Sequence, residues 1–473
     1  MNVPSKLSRF LTRATPVVLV VLATASTASA VPAFARKYQT SCQTCHIVFP
    51  KLNAYGEAFR LRGYRLPGET EEMVKQPPVS LGAAAYKRLW PQSVWPGEIS
   101  SSVPLAVNVK LADLNTSSHN DDGTVTSVKN DLQFPQEVNI FGAGTLGEHV
   151  SYLAEVTFGE QADGTVSVEL EHAHMGFDSP FGPEDLFHFR IGKFAPNVVD
   201  GFQEMWLSTD AGIDSLFGYN PIGVHGGTGL AGDMNPSPIS LPALVRGIEG
   251  YGIIKHRAMW VAGLANGTGP GPNDTTGRFD GNNAKDVYAR FDYKIGGMGL
   301  DGDTGGQAVV PDKNWRDNSL RIGVFTYRGD SSNINFPLTT DTGANINIQD
   351  VHFLRTGVYA SLFFQDLNVF GAYLHGTDSL SVFDAESAAL LSAIEPDYHA
   401  WFTQADYVVY PWLQAGFRYE TLTPADPSVP SLRTGVFNVS ALLRANVKAM
   451  VEYQRDLRQG DNHSLNALMR FAF

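Results

Sequence analysis

The last ten residues constrain the fold of this chain more than any other stretch. Leu465, Ala467, Met469, Phe471 and Phe473 alternate with Ser464, Asn466, Leu468, Arg470 and Ala472. The period is two, apolar on one side and largely polar on the other, and it finishes on a terminal Phe. Successive side chains of a strand point to opposite faces, so this pattern describes a strand between an apolar and a polar medium. The alternation recurs. Val150, Tyr152, Ala154, Val156 and Phe158 face one way, with Ser151, Glu155 and Thr157 the other. Val287, Ala289, Phe291 and Tyr293 alternate with Arg290, Asp292 and Lys294. Leu413, Ala415, Phe417 and Tyr419 alternate with Gln414, Arg418 and Glu420, and Val447, Ala449, Val451 and Tyr453 with Lys448, Glu452 and Gln454. Each run is close to the length a tilted strand needs to cross a bilayer.

A soluble β-sandwich shares this periodicity, so periodicity alone leaves both folds open. Composition and punctuation favour the membrane. The chain holds 46 Gly, 11% aromatic and only 18% charged residues, without a long apolar run after the N-terminus. Short turns such as Tyr410-Pro411-Trp412 and Gln365-Asp366 contrast with long Gly/Asp/Asn-rich segments at 113–123, 201–245, 267–284, 295–316 and 329–348. Short turns on one rim and long loops on the other is the asymmetry of outer-membrane barrels. Residues 98–473 therefore read as an antiparallel outer-membrane β-barrel of about 14–18 strands, about 16 being the expected number. A barrel of that size has room for water or a plug. A terminal aromatic resembles the signal read by the bacterial barrel-assembly machinery. That machinery and outer-membrane lipid are the expected partners.

The N-terminus supplies the route there. Lys6, Arg9 and Arg13 precede the apolar run Val17 to Ala23, and Ala28-Ser29-Ala30 closes the segment with small residues. This is the pattern of a cleaved secretory signal peptide over 1–30, too short to span a bilayer core.

Next comes Cys42-Gln43-Thr44-Cys45-His46, which contains the only two cysteines of the chain. C-x-x-C-H is the covalent c-type haem attachment signature. A disulfide would leave His46 unexplained, and a zinc site lacks a second ligand pair nearby. In the haem reading Cys42 and Cys45 carry one covalent haem c and His46 is the proximal iron ligand. Leu52, Tyr55 and Phe59 recur at helical spacing, with Pro50 at the expected helix start and Gly63 at its left-handed stop. That apolar face suits packing on a porphyrin. Met73 is the one Met of residues 31–97 and the candidate distal iron ligand. A packing Met, a five-coordinate iron or a barrel His are the other readings. Pro77-Pro78 and Trp90-Pro91 to Trp95-Pro96-Gly97 read as a linker, so the module and its linker occupy 31–97.

Charge divides the chain at the same place. Residues 31–97 hold nine Lys+Arg and four Asp+Glu, net +5, whereas 98–473 hold 23 and 44, net −21. A basic plug in an acidic lumen and acidic loops that hydrate the surface both fit this split.

At residues 32–64 the pattern P-A-F-A-R-x₅-C-x-x-C-H-x₂-F-P-x-L-N-x₂-G-x₂-F-x₃-G-Y resembles the fused monohaem cytochrome–porin family of the outer membrane. The order signal, one-haem module, barrel and terminal Phe matches over the whole chain. The resemblance implies haem thioethers at Cys42 and Cys45 and a proximal ligand at His46. It further implies a haem module that plugs the barrel and passes electrons from extracellular Fe(II) to periplasmic carriers, an Fe(II):cytochrome c oxidoreductase role. Phe187 to Phe194 is similar to strands of phosphate-selective porins. The alternatives are a solute porin with a haem-bearing gating or sensing module, and a conduit for another donor or acceptor.

Two further groups carry metal-type side chains. His119-Asn120-Asp121-Asp122 lies on an expected loop, where a solvated turn and an iron-collecting site are the two readings. His172 and His174 share one face of a strand, either as lumen lining or as metal or distal haem ligands. There is no nucleotide-binding loop, nucleophile elbow or zinc-protease helix, and no nucleic-acid partner is expected.

Overall fold

The computed structural model describes residues 33–68, 79–80, 88, 98–99, 104–119, 125–147, 149–160, 164–181, 184–199, 207–217, 241–266, 284–305, 313–330, 336–339, 345–384, 386–387, 389–394, 397–425, 427, 431–458 and 462–473. The signal segment, Met73 and the Trp-Pro linker lie outside the described residues. A small N-terminal unit comes first. It has helix α1 (Ala33–Tyr38), a 3₁₀ turn (Cys42–Thr44), the paired strands β1 (His46–Val48) and β2 (Lys51–Leu52), and helix α2 (Ala54–Leu61). A two-residue pair, β3 (Val79–Ser80) with β4 (Glu98–Ile99), follows.

The remaining strands form one closed antiparallel wall. They are β5 (Leu105–His119), β6 (Val125–Leu146), β7 (Val150–Glu160), β8 (Val166–Asp178), β9 (His188–Phe194) and β10 (Val245–Ile254). Then come β11 (Ala258–Asn266), β12 (Lys285–Gly296), β13 (Ser319–Asp330), β14 (Phe336–Thr339), β15 (Asn345–Phe364) and β16 (Leu367–Asp384). The last six are β17 (Leu390–Ile394), β18 (Asp397–Tyr410), β19 (Leu413–Pro424), β20 (Leu432–Arg444), β21 (Val447–Asp456) and β22 (His463–Ala472). β22 pairs back onto β5, with Phe471 opposite Val109, which closes the circuit. β13 pairs directly with β15 and β16 with β18, so β14 and β17 are hairpin extensions and sixteen strands make the wall. Closure removes every unpaired edge, the condition for β structure in lipid.

The alternation read from sequence sets the two faces. On β12, Val287, Phe291 and Tyr293 are about half exposed, whereas Tyr288, Arg290 and Asp292 are buried. On β19 Phe417 points out and Gln414, Arg418 and Glu420 point in. Tyr410 and Trp412 stack at 5.6 Å on the rim of short turns, and Trp401 and Tyr419 meet higher on the outer wall. From Trp401 to Tyr410 at about 3.3 Å per residue and a tilt of about 40°, the apolar band is about 23 Å tall. That matches the lipid-facing belt of an outer-membrane barrel, so this is a transmembrane barrel of that type.

Four segments expected as outer loops are placed otherwise, at least in part. Residues 113–119 belong to β5, because Asn115 and Ser117 pair with β6 on one side and β22 on the other despite their polarity. Within 329–348, β14 and the start of β15 form a hairpin. The connection between β12 and β13, which covers most of 295–316, lies on the short-turn rim rather than among the long loops. There Trp315 Nε1 and Arg316 donate to Asp366 at 2.6–2.8 Å. These bonds hold the Asp366 carboxyl down from the ordinary 3.8 to about 2. A carboxyl depressed on folding stabilises above its ordinary value and loses that contribution as pH falls through its folded value. We therefore expect acidification from pH 4 to 2 to free Trp315 and change tryptophan fluorescence. The change should vanish in Trp315→Phe and appear at neutral pH in Asp366→Asn; an acid response unaltered in both variants counts against the staple.

Residues 207–217, inside the expected loop 201–245, fold into the lumen and include helix α3 (Asp214–Phe217). Their backbone is satisfied by charged groups of the wall. Glu452 accepts from the amides of Asp210 and Ala211 at 2.8 and 2.9 Å, and Arg418 donates to the carbonyls of Ala211 and Gly212. Asp210 pairs with Lys110 at 2.7 Å and Arg470 at 2.9 Å.

Candidate functional site

The N-terminal unit seats in the barrel mouth at the short-turn rim. Gln43 Nε2 donates to Pro411 O at 2.9 Å, and Arg65 to Gly147 O at 3.0 Å. Short turns are periplasmic in this class, so the unit sits at the periplasmic mouth. The charge split becomes contacts: Lys51 pairs with Asp406, Arg62 with Asp185 and Glu184, and Arg65 with Asp178 at 2.9 Å. Glu57 reverses the sign and faces Arg321 at 3.5 Å. These contacts fit a basic unit held by acidic groups of the wall; the long loops on which the other reading of that split rests lie largely outside the described residues.

Within the unit, Asn53 ties the motif to the helix. Its Oδ1 caps α2 by accepting from Gly56 N at 2.8 Å, and its Nδ2 donates to Thr44 O at 3.1 Å. Its own amide donates to Cys45 O at 2.9 Å. The helix thus begins at Ala54, not at Pro50, because Asn53 supplies the cap. Gly56 is required by this contact, since a Cβ there would lie 2.1 Å from Cys45 O. Gly63, at φ +65°, is the left-handed stop after α2, as the sequence reading has it.

The apolar face of α2 is closed partly by a neighbour. Phe34 and Tyr38, one turn apart on α1, meet Phe59 edge-on at 5.1 and 6.1 Å, and Tyr64 stacks on Phe34 at 5.0 Å. Phe59 is therefore held inside an aromatic cluster, with Cys45 and Tyr55 at its border. This cluster depends on α1, a helix the periodicity reading did not assign.

Cys42 and Cys45 are unbridged and half-buried. Burial pushes both thiols up, Cys45 to about 12, so they stand as neutral SH groups rather than the depressed thiolates of a redox pair. Burial pushes His46 down to about 4 and keeps its imidazole neutral. His46 Nδ1 lies 3.0 Å from Pro50 O. A neutral ring donating from Nδ1 keeps its lone pair on Nε2, the arrangement of a metal-ligating histidine. Two thiols, one oriented imidazole and an aromatic border are donors that fit attachment of haem.

The other candidates fall on the wall. His119 ends β5 beside His463, ring centroids 6.1 Å apart, on the long-loop side; Asn120 to Asp122 lie outside the described residues. His172 and His174 face the lumen on β8, both buried. They line a cavity shared with Arg60, Gly63 and Tyr64 of the N-terminal unit. Sequence reading missed Glu171 as a lumen group, because its strand position assigns it to the other face.

Together these features define a transmembrane barrel of porin size whose own N-terminal unit is seated at its periplasmic mouth. No protein-family model and no curated protein matches the chain. Among solved structures, OmpF of Salmonella typhi shares 11% identity and a TM-score of 0.48, over 78% of this chain and 97% of that one. OmpT of Vibrio cholerae shares 12% identity and a TM-score of 0.46, over 83% and 99%. The outer membrane channel DcaP of Acinetobacter baumannii shares 12% and 0.45, over 78% and 96%. The strand count and circuit stand on the hydrogen-bond registers of this chain.

Proposed function

We propose that the N-terminal unit carries one covalent haem c on Cys42 and Cys45, with His46 Nε2 as axial ligand, and that the protein is an outer-membrane electron conduit of the fused monohaem cytochrome–porin kind. Extracellular Fe(II) is the donor in this reading, a periplasmic cytochrome or similar carrier the acceptor, and Met73 the candidate distal ligand. The observation that supports it best is the C-x-x-C-H segment in the mouth of a closed barrel, with His46 Nδ1 held by Pro50 O. Haem, when bound, supplies reversible one-electron chemistry whose potential follows axial ligand and exposure.

The chain's own residues do the rest. Pro50 orients His46, and Asn53 and Gly56 fix the attachment loop against α2. Phe34, Tyr38, Phe59 and Tyr64 exclude water from one side. The salt bridges of Lys51, Arg62 and Arg65 hold the unit in the mouth, where periplasmic carriers have access to it.

The sixteen-strand circuit is equally compatible with the second reading, a solute porin in which the same unit gates or senses. Stopped-flow mixing of the oxidised, detergent-purified protein with Fe(II) separates the two. The conduit reading expects reduction of a c-type spectrum, with a band shift in Met73→Ala if that Met is the distal ligand. A spectrum that Fe(II) leaves oxidised, together with steady ion conductance in a planar bilayer, rules for the porin.

A further inference from the structure

The pairing of β7 with β8 slips by one residue in mid-wall. His172 opposes Glu155 and Leu170 opposes Val156, so Glu171 is the extra residue of a bulge. A bulge bends its strand and re-aims a side chain. Here Glu155, Glu171 and His172 each bring one ligand-type atom within 4.8 Å of the others. Glu155 Oε2 lies 2.9 Å from His172 Nδ1, a separation that two ligands of one cation can keep. His174, next on the same face, is 9% exposed, and its Nδ1 makes no hydrogen bond among the described residues. The two imidazole centroids are 6.4 Å apart, and both rings line the lumen cavity. The guanidiniums on that cavity are already matched, Arg60 by Glu57 and Arg190 by Glu249, each at 2.9 Å.

The geometry points to a binding site for a divalent transition-metal cation in the lumen, with Glu155, Glu171 and His172 as ligands and His174 as the adjoining donor. Mixed imidazole and carboxylate donors suit Fe(II), Co(II) or Zn(II), and not the soft Cu(I) that thiolates and thioethers select. Glu155 and Glu171 offset the cation's charge. The cavity reaches the N-terminal unit at Arg60 and Tyr64, so a cation held here stands between the outer loops and that unit. The site goes beyond the conduit reading and stands without it.

The test is equilibrium dialysis of the full-length, detergent-purified protein against Co(II), with bound metal measured by elemental analysis. One saturable Co(II) per chain is expected, and His172→Ala and the isosteric Glu171→Gln should each weaken it by about tenfold or more. His174→Ala should weaken it less, and His119→Ala, on the other rim, not at all. Heat-modifiable migration on gels shows that each variant barrel has folded. Absence of saturable Co(II), or binding unchanged in both His172→Ala and Glu171→Gln, overturns the site. Neither outcome touches the Fe(II)-reduction readout, so the two readings fail separately.

Discussion

The chain carrying both Cys42→Ser and Cys45→Ser is expected to reach the membrane as a folded barrel and to hold no covalent haem. The expected loss is complete, because each thioether requires a sulfur and the chain has no other cysteine. Serine keeps the shape of the side chain, so the unit itself should survive. Its fold rests on the Asn53 cap, the Cys45 carbonyl contact with Gly56 and the ring contacts of the aromatic cluster, which Cys45 only borders. The barrel registers are independent of it as well. Haem staining after denaturing electrophoresis reads the covalent link directly, and heat-modifiable migration reads the barrel. The parent should stain, either single serine should stain weakly through its remaining link, and the double serine should not stain. A double-serine chain that still stains, or a parent that never does, sinks the haem assignment.

The wall was legible because lipid and lumen impose opposite demands on alternate residues. Every run that alternated cleanly, from Val150 to Phe473, is a strand with the assigned face outward. Loops were read less well, because a polar segment states only that it avoids lipid. Asn115 and Ser117 are polar yet lie in a ladder, since β5 and β6 continue past the membrane. Asp210 and Ala211 fall in a polar-rich loop in sequence, yet lie half-buried in the lumen against Glu452 and Arg418. No local pattern encodes that choice; it needs charged partners more than 200 residues away. The motif Cys42 to His46 was legible from spacing, and His172 and His174 from their period of two. Glu171 was not, because a bulge breaks the very period used to assign faces.

Lys51→Met should unseat the N-terminal unit. Lys51 Nζ is buried, pairs with Asp406, donates to Asn368 Oδ1 at 2.7 Å and lies 4.4 Å over the Phe370 ring. Burial lowers the pKa of this ammonium while Asp406 opposes that shift, so the ion pair depends on both partners. Methionine fills the space and removes the charge. Among the described residues Asp406 then keeps the donors Ser208, at 2.8 Å, and Gln404, at 3.0 Å, as a buried carboxylate without its cation. Breaking one side of a buried pair costs about 3–5 kcal/mol. At about 1.4 kcal/mol per tenfold, the unseated population should rise by about two orders of magnitude or more. In planar bilayers the parent should be quiet and Lys51→Met should show frequent porin-sized openings. Adding Asp406→Asn removes the stranded charge while Ser208 and Gln404 can still bond to the amide, so the double variant should close again. A Lys51→Met barrel as quiet as the parent means that Arg62 and Arg65 alone hold the mouth shut. A double variant as leaky as the single one means that lost packing, not an uncompensated charge, opened it.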